Sequence, residues 1–146
     1  MSNSIDTEYL YVKLPDFKRE WQTVNLVKIL TIDNVSEAYD NLIKWKKESP
    51  EDYRHIINSL KYAAGVSRKD IRNERRIRKV SSFNDGGEIF EVKNGNSTLA
   101  RLFIFYDENI IICTNGYWKK SSGAGQNEAI NRARELRKIY ECAKHS

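Results

Sequence analysis

The segment Asn115-Gly-Tyr-Trp-Lys-Lys120 ends in two adjacent lysines, and Arg101 and Lys93 stand upstream at spacings that read as neighbouring strands. Side chains of this kind suit one chemistry in particular. RNA is cut by its own 2′-hydroxyl once that proton is removed, the phosphorane charge is stabilised and the leaving 5′-oxygen is protonated. Cationic groups perform the second and third tasks without a metal. A lysine serves as acid or base when neighbouring positive charges lower its pKa. No histidine lies among these residues, which excludes a two-histidine ribonuclease mechanism.

The charge is unevenly distributed. Residues 1–60 hold 8 basic and 10 acidic side chains, whereas residues 61–146 hold 17 basic and 10 acidic ones. Within Lys61–Lys79 there are 8 basic residues against 2 acidic. Phosphates attract such a cluster at long range, so a polyanionic partner is one reading, and a solvated basic face is the other. Arg75, Arg76, Arg78 and Lys79 are the RNA-backbone candidates in this tract, and Tyr117, just before the lysine pair, is a further one. Arg101 lies within Leu-Ala-Arg-Leu-Phe-Ile-Phe-Tyr, an unusually apolar setting for a charge. It reads either as a salt bridge to Glu91 across a hairpin or as a preorganised phosphate fork.

The elements that must position these residues are partly legible. Asn34 reads as a helix cap with Glu37 as its reciprocal partner, followed by the stripe Val35, Ala38, Leu42, Trp45. Ser49-Pro50-Glu51-Asp52 starts a second helix with the stripe Tyr53, Ile57, Leu60, Ala64, ended by Gly65. Ser67 with Asp70 suggests a further short helical start. From Ile77 the period turns to alternation. RKVSSF, EIFEVK, TLARLFIFY and NIIICTNGYW are separated by NDGG, NGNS and DEN, which predicts an antiparallel meander. NIIIC reads as a central strand covered on both faces. In TLARLFIFY, Arg101, Phe103 and Phe105 share one face and Leu102, Ile104 and Tyr106 the other. A helix over 126–143 buries Ala129, Ala133, Leu136 and Tyr140. Residues 1–30 are harder to read. YLYVKLP alternates like a short strand, and VNLVKILTI reads as a strand in preference to a helix. The expected fold is α+β, with helices packed on an antiparallel sheet of four strands or more.

Other chemistries are disfavoured. Gly123-Ala-Gly125 lacks both the Walker and the Gly-x-Gly-x-x-Gly spacing, and reads as a connector into the last helix. His55 and His145 are the only histidines, and Cys113 and Cys142 form no CxxC pair, so neither a zinc site nor any other metal or cofactor is expected. No apolar run approaches the ~20 residues of a membrane span, and MSNSIDTEYL is unlike a signal peptide, so a cytoplasmic protein of one domain, 1–146, is expected.

GEIFEVK, then TLARLFIFY-DENIIICTNGYWKKSS, then a basic amphipathic helix resembles the RelE/HigB superfamily of type II toxins, in its phage-derived HigB-like branch. The likeness covers about Lys79 to Tyr140, and residues 35–47 and 50–64 sit where that family's helical pair precedes its sheet. The resemblance leaves 1–30 as an N-terminal extension. It implies a RelE-like fold and a toxin that cuts messenger RNA without metal, usually at the ribosome. It also implies a cognate antitoxin, often a helix-turn-helix repressor. Carried over by position, Arg101 would contact the scissile phosphate, Lys119 and Lys120 would form the basic pair after the last strand, and Lys93 would end the preceding strand as base or positioning group. Lys79 is a weaker match to a basic residue before the sheet. Asn115 stands where the branch often has histidine, and the last helix lacks the early tyrosine of members nearest RelE. A non-catalytic nucleic-acid or protein-binding module and a gyrase-inhibiting relative are the alternatives on the same scaffold.

Overall fold

A computed structural model describes residues 3–82, 87–95, 98–119 and 125–145. Six strands form one sheet in the order β1-β2-β6-β5-β4-β3: β1 Ile5–Tyr9, β2 Leu26–Ile32, β3 Ile77–Ser82, β4 Glu88–Val92, β5 Ala100–Asp107 and β6 Ile110–Trp118. The helices are α1 Leu10–Lys13, α2 Glu37–Glu48, α3 Pro50–Ala64 and α4 Gln126–Lys144.

Strands β3 to β6 form the expected antiparallel meander. The whole sheet is mixed, which corrects the purely antiparallel expectation. β2 runs parallel to β6, and β1 pairs antiparallel with β2. Residues 5–32 therefore supply two strands of the common sheet. Such a parallel pairing requires a crossover, and α2 and α3 lie in the chain between β2 and the meander.

The alternating pattern buries both faces. Leu102, Ile104 and Tyr106 join α2 and α3 in one cluster, while Phe103, Phe105 and Ile112 meet Ala129, Ala133 and Leu136 of α4 in a second. Leu136 alone, 2% exposed, contributes about 1.5–3 kcal/mol by burial. β6 lies inside the sheet with Ile111, Ile112 and Cys113 fully buried, as the continuous run NIIIC implied.

Two helix starts depart from the local sequence signals. Helix α2 starts at Glu37, capped by the Ser36 hydroxyl accepting from the Tyr39 amide at 3.1 Å, not by Asn34. Asp33 and Asn34 instead take left-handed turn conformations (φ 52° and 69°), which short polar side chains tolerate. Tyr9 ends β1, and Leu10 to Lys13 turn helically because Leu10 and Leu14, four residues apart, both enter the core. At Gly116 an added Cβ would lie 2.6 Å from the Trp45 ring and 2.7 Å from the Arg101 carbonyl oxygen. Gly116→Ala is therefore expected to destabilise the fold by about 1–3 kcal/mol, as overpacking does, measured by thermal or urea denaturation.

Candidate functional site

One end of the sheet gathers most of the predicted residues. Register places Arg101 opposite Tyr117 and Leu102 opposite Val92, so Lys93, one residue beyond β4, flanks Arg101 on its other side. The Lys119 amide donates to the Leu99 carbonyl at 2.7 Å, which carries the β5–β6 pairing one step further. Strand alternation then puts Lys93, Arg101, Tyr117 and Lys119 on the face that α4 covers. Arg78, opposite Glu91 in β3, joins them. Tyr117 is half-buried and stacks on Phe103 with centroids 5.7 Å apart and planes 3° from parallel.

Glu91 is the hub. It is 1% exposed and forms ion pairs with Arg101 Nε at 3.6 Å and Arg78 Nη2 at 3.5 Å. Gln126, the first residue of α4, donates to it at 3.3 Å. Arg101 is 2% exposed and donates further to the carbonyl oxygens of Thr98, Ala100 at 3.0 Å and Gly95 at 3.2 Å. Of the two readings of Arg101, the salt bridge to Glu91 describes its contacts. A fork aimed outward at a phosphate does not, because a buried charge is tolerable only when its donors are satisfied. What those donors hold is the β4–β5 loop that follows Lys93. The loop is also tied by the Leu99 amide to Asp52 at 3.3 Å and by the Asn94 side chain to His55 at 2.9 Å.

Lys93 and Lys119 form no salt bridge among the described residues. Burial, and after it the Arg78 guanidinium, lowers the Lys93 pKa; Glu91 pulls the other way, and Arg101 and Lys119 add to the lowering. An amine so placed has a larger neutral fraction near neutral pH than an ordinary lysine and can accept a proton. Burial, then Glu91, raises the Tyr117 phenol, so its hydroxyl remains a hydrogen-bond donor rather than an anion. Four cations around one carboxylate make this rim an electropositive seat, suited to an anion with a proton to lose.

The basic tract does not form one docking face. Period-two alternation sends Arg78 to Glu91 and Lys79 to Glu88 at 3.3 Å, on the opposite side. Arg68 shares Glu88 at 2.5 Å. Arg76 turns toward α3 and donates to Ser59 Oγ at 3.4 Å, and the Arg75 guanidinium packs over Gly95. Lys120 and most of the Ser-Ser-Gly-Ala-Gly loop lie outside the described residues; Gly125, with φ 94°, leads into α4. Gln126, His55 and Asn94 were not foreseen. The first is signalled by its place at the start of the last helix, and the other two carry no local signal because their mutual contact spans 39 residues of chain.

Among the described residues no group of three or more potential metal ligands converges, and no helix is long and apolar enough to cross a membrane. No family model, curated protein or solved structure matches the chain.

Proposed function

We propose that this chain is a metal-independent endoribonuclease, the toxin of a type II toxin–antitoxin pair with a RelE-like fold, acting in the cytoplasm on messenger RNA at the ribosome. A cognate antitoxin, of helix-turn-helix type, holds it in check. The observation that carries the reading is Lys93, a lysine of lowered pKa beside Lys119 and Arg78 at the open end of the sheet. In this scheme Lys93 accepts the 2′-hydroxyl proton. The Lys119 ammonium stabilises the phosphorane and, with Lys120, supplies the proton to the leaving 5′-oxygen. Arg101 acts from beneath, through Glu91 and the β4–β5 loop. The succession of helical pair, meander and C-terminal helix follows the order that the RelE/HigB resemblance implies.

The test is expression followed by mapping of new 5′ ends on transcripts, repeated in vitro with ribosomes and a chelator selective for transition metals over magnesium. Cleavage that survives chelation, stops with a 2′-deoxy nucleotide at the cut and falls with Lys119→Ala supports the proposal. Intact transcripts in the presence of ribosomes would remove it. The burial of Arg101 and the saturation of its donors favour the second reading, a non-catalytic RNA- or protein-binding module, which predicts binding without new ends.

A further inference from the structure

On the α2/α3 side of the same end of the sheet, Asn58, Lys61, Tyr62, Gly65, Val66 and Arg76 line an open groove of about 470 Å³. That is within the roughly 300–1,000 Å³ of small-ligand sites. Its charge sets it apart from three other grooves among the described residues. Each of those is lined by both a cation and a carboxylate: Arg132 and Glu37, Lys144 and Asp6, Lys138 and Glu135. Here the charged lining residues are Lys61 and Arg76, and neither forms a salt bridge among the described residues. The Lys61 ammonium lies 4.8 Å from the centroid of the Trp21 ring. Tyr62, partly buried against the core, lines the same groove; its hydroxyl is anchored by the Arg72 and Asn73 amides at 3.4 Å each, so the ring is held in place. The groove adjoins the rim directly: the Arg76 carbonyl accepts from the Lys93 amide at 2.9 Å, and Ser59 Oγ, which Arg76 reaches, donates to the Lys93 carbonyl at 2.7 Å.

An aromatic face beside cations that no carboxylate neutralises is how proteins hold one nucleotide of a single strand, the base stacked and the phosphates bound alongside. We infer that this groove is a nucleotide subsite for single-stranded RNA, seating a base on Tyr62 and its phosphates on Lys61 and Arg76, next to the bond presented at the rim. The inference rests on RNA being the substrate of the proposed function, and it concerns binding rather than the cut.

The test is fluorescence anisotropy with a labelled ten-nucleotide uridine oligoribonucleotide, using the full chain with Lys93→Gln to prevent cleavage. Tyr62→Leu is expected to weaken binding about 5- to 150-fold, the ~1–3 kcal/mol of one base stack at tenfold per 1.4 kcal/mol. Tyr62→Phe, which keeps the ring and serves as the folding control, binds as the parent does. Lys61→Ala and Arg76→Ala each lower the slope of log affinity against log salt by about 1. An oligonucleotide abasic throughout binds weakly to the parent and no more weakly to Tyr62→Leu. A folded Tyr62→Leu protein that binds like the parent, or an abasic strand that binds as well as the intact one, overturns the subsite. The two proposals fail separately: cleavage by the wild-type chain that ignores Tyr62→Leu removes the subsite alone. Tyr62-dependent binding by a wild-type chain that never cuts removes the nuclease alone.

Discussion

Lys93→Gln is expected to lower RNA cleavage about 10²–10⁴-fold, the span a positioned general base contributes, while leaving the affinity for an uncleavable 2′-deoxy strand within a few-fold of wild type. The pH dependence separates this role from simple charge. The reactive form is the neutral amine, so kcat/KM rises as pH climbs through the Lys93 pKa. That limb falls below the ~10.4 of a free lysine, because burial and then Arg78 disfavour the ammonium. Arg78→Gln removes a lowering charge and leaves Glu91 with a stronger pull, so the limb moves to higher pH. A profile that does not move with Arg78→Gln rules Lys93 out as the base.

Stability gives an independent reading of the same residue. With its folded pKa lowered, Lys93 binds fewer protons in the native than in the unfolded chain between the folded value and the ordinary one. Stability therefore rises with pH across that window, and the cost of the half-buried ammonium is fully present below it. Lys93→Gln removes the cost and is expected to raise Tm at neutral pH while it lowers cleavage. This opposition of stability and activity is characteristic of a group held for chemistry.

Glu91→Ala carries the largest expected loss of stability, about 3–5 kcal/mol, because it leaves the Arg101 guanidinium in the interior without its carboxylate. With both residues at 2% exposure or less, added salt does little to soften the loss. Urea denaturation measures it. Glu91→Leu combined with Arg101→Met is expected to recover part of the loss, since no buried charge then remains. Recovery stays incomplete, because Arg101 also holds Thr98, Ala100 and Gly95. A loss under about 1 kcal/mol for Glu91→Ala would mean that water reaches Arg101, and the account of a sealed hub would be wrong.

By itself the sequence determined what depends on near neighbours along the chain. The stripes of α2, α3 and α4 follow from 3.6-residue spacing, except that Val35, expected to open the α2 stripe, lies ahead of the helix and is exposed. The order of β3 to β6 follows from alternation broken by short loops. The sharing of one face by Arg101 and Phe103 follows from the two-residue period of a strand. Tertiary structure decided what depends on partners far apart in number. Thr7 paired with Leu30, and Leu26 with Ile110, make the sheet mixed. No local pattern marks a strand as parallel, because hydrogen bonding between strands leaves no trace in the spacing of either. It also decided the fate of Arg101. An arginine in an apolar strand is equally consistent with a ligand fork and with a buried ion pair, and only the position of Glu91, with the carbonyls of Gly95, Thr98 and Ala100 closing around the guanidinium, distinguishes them. The lowered pKa of Lys93 has the same origin, since burial and an arginine 15 positions earlier in the chain are properties of the folded surface.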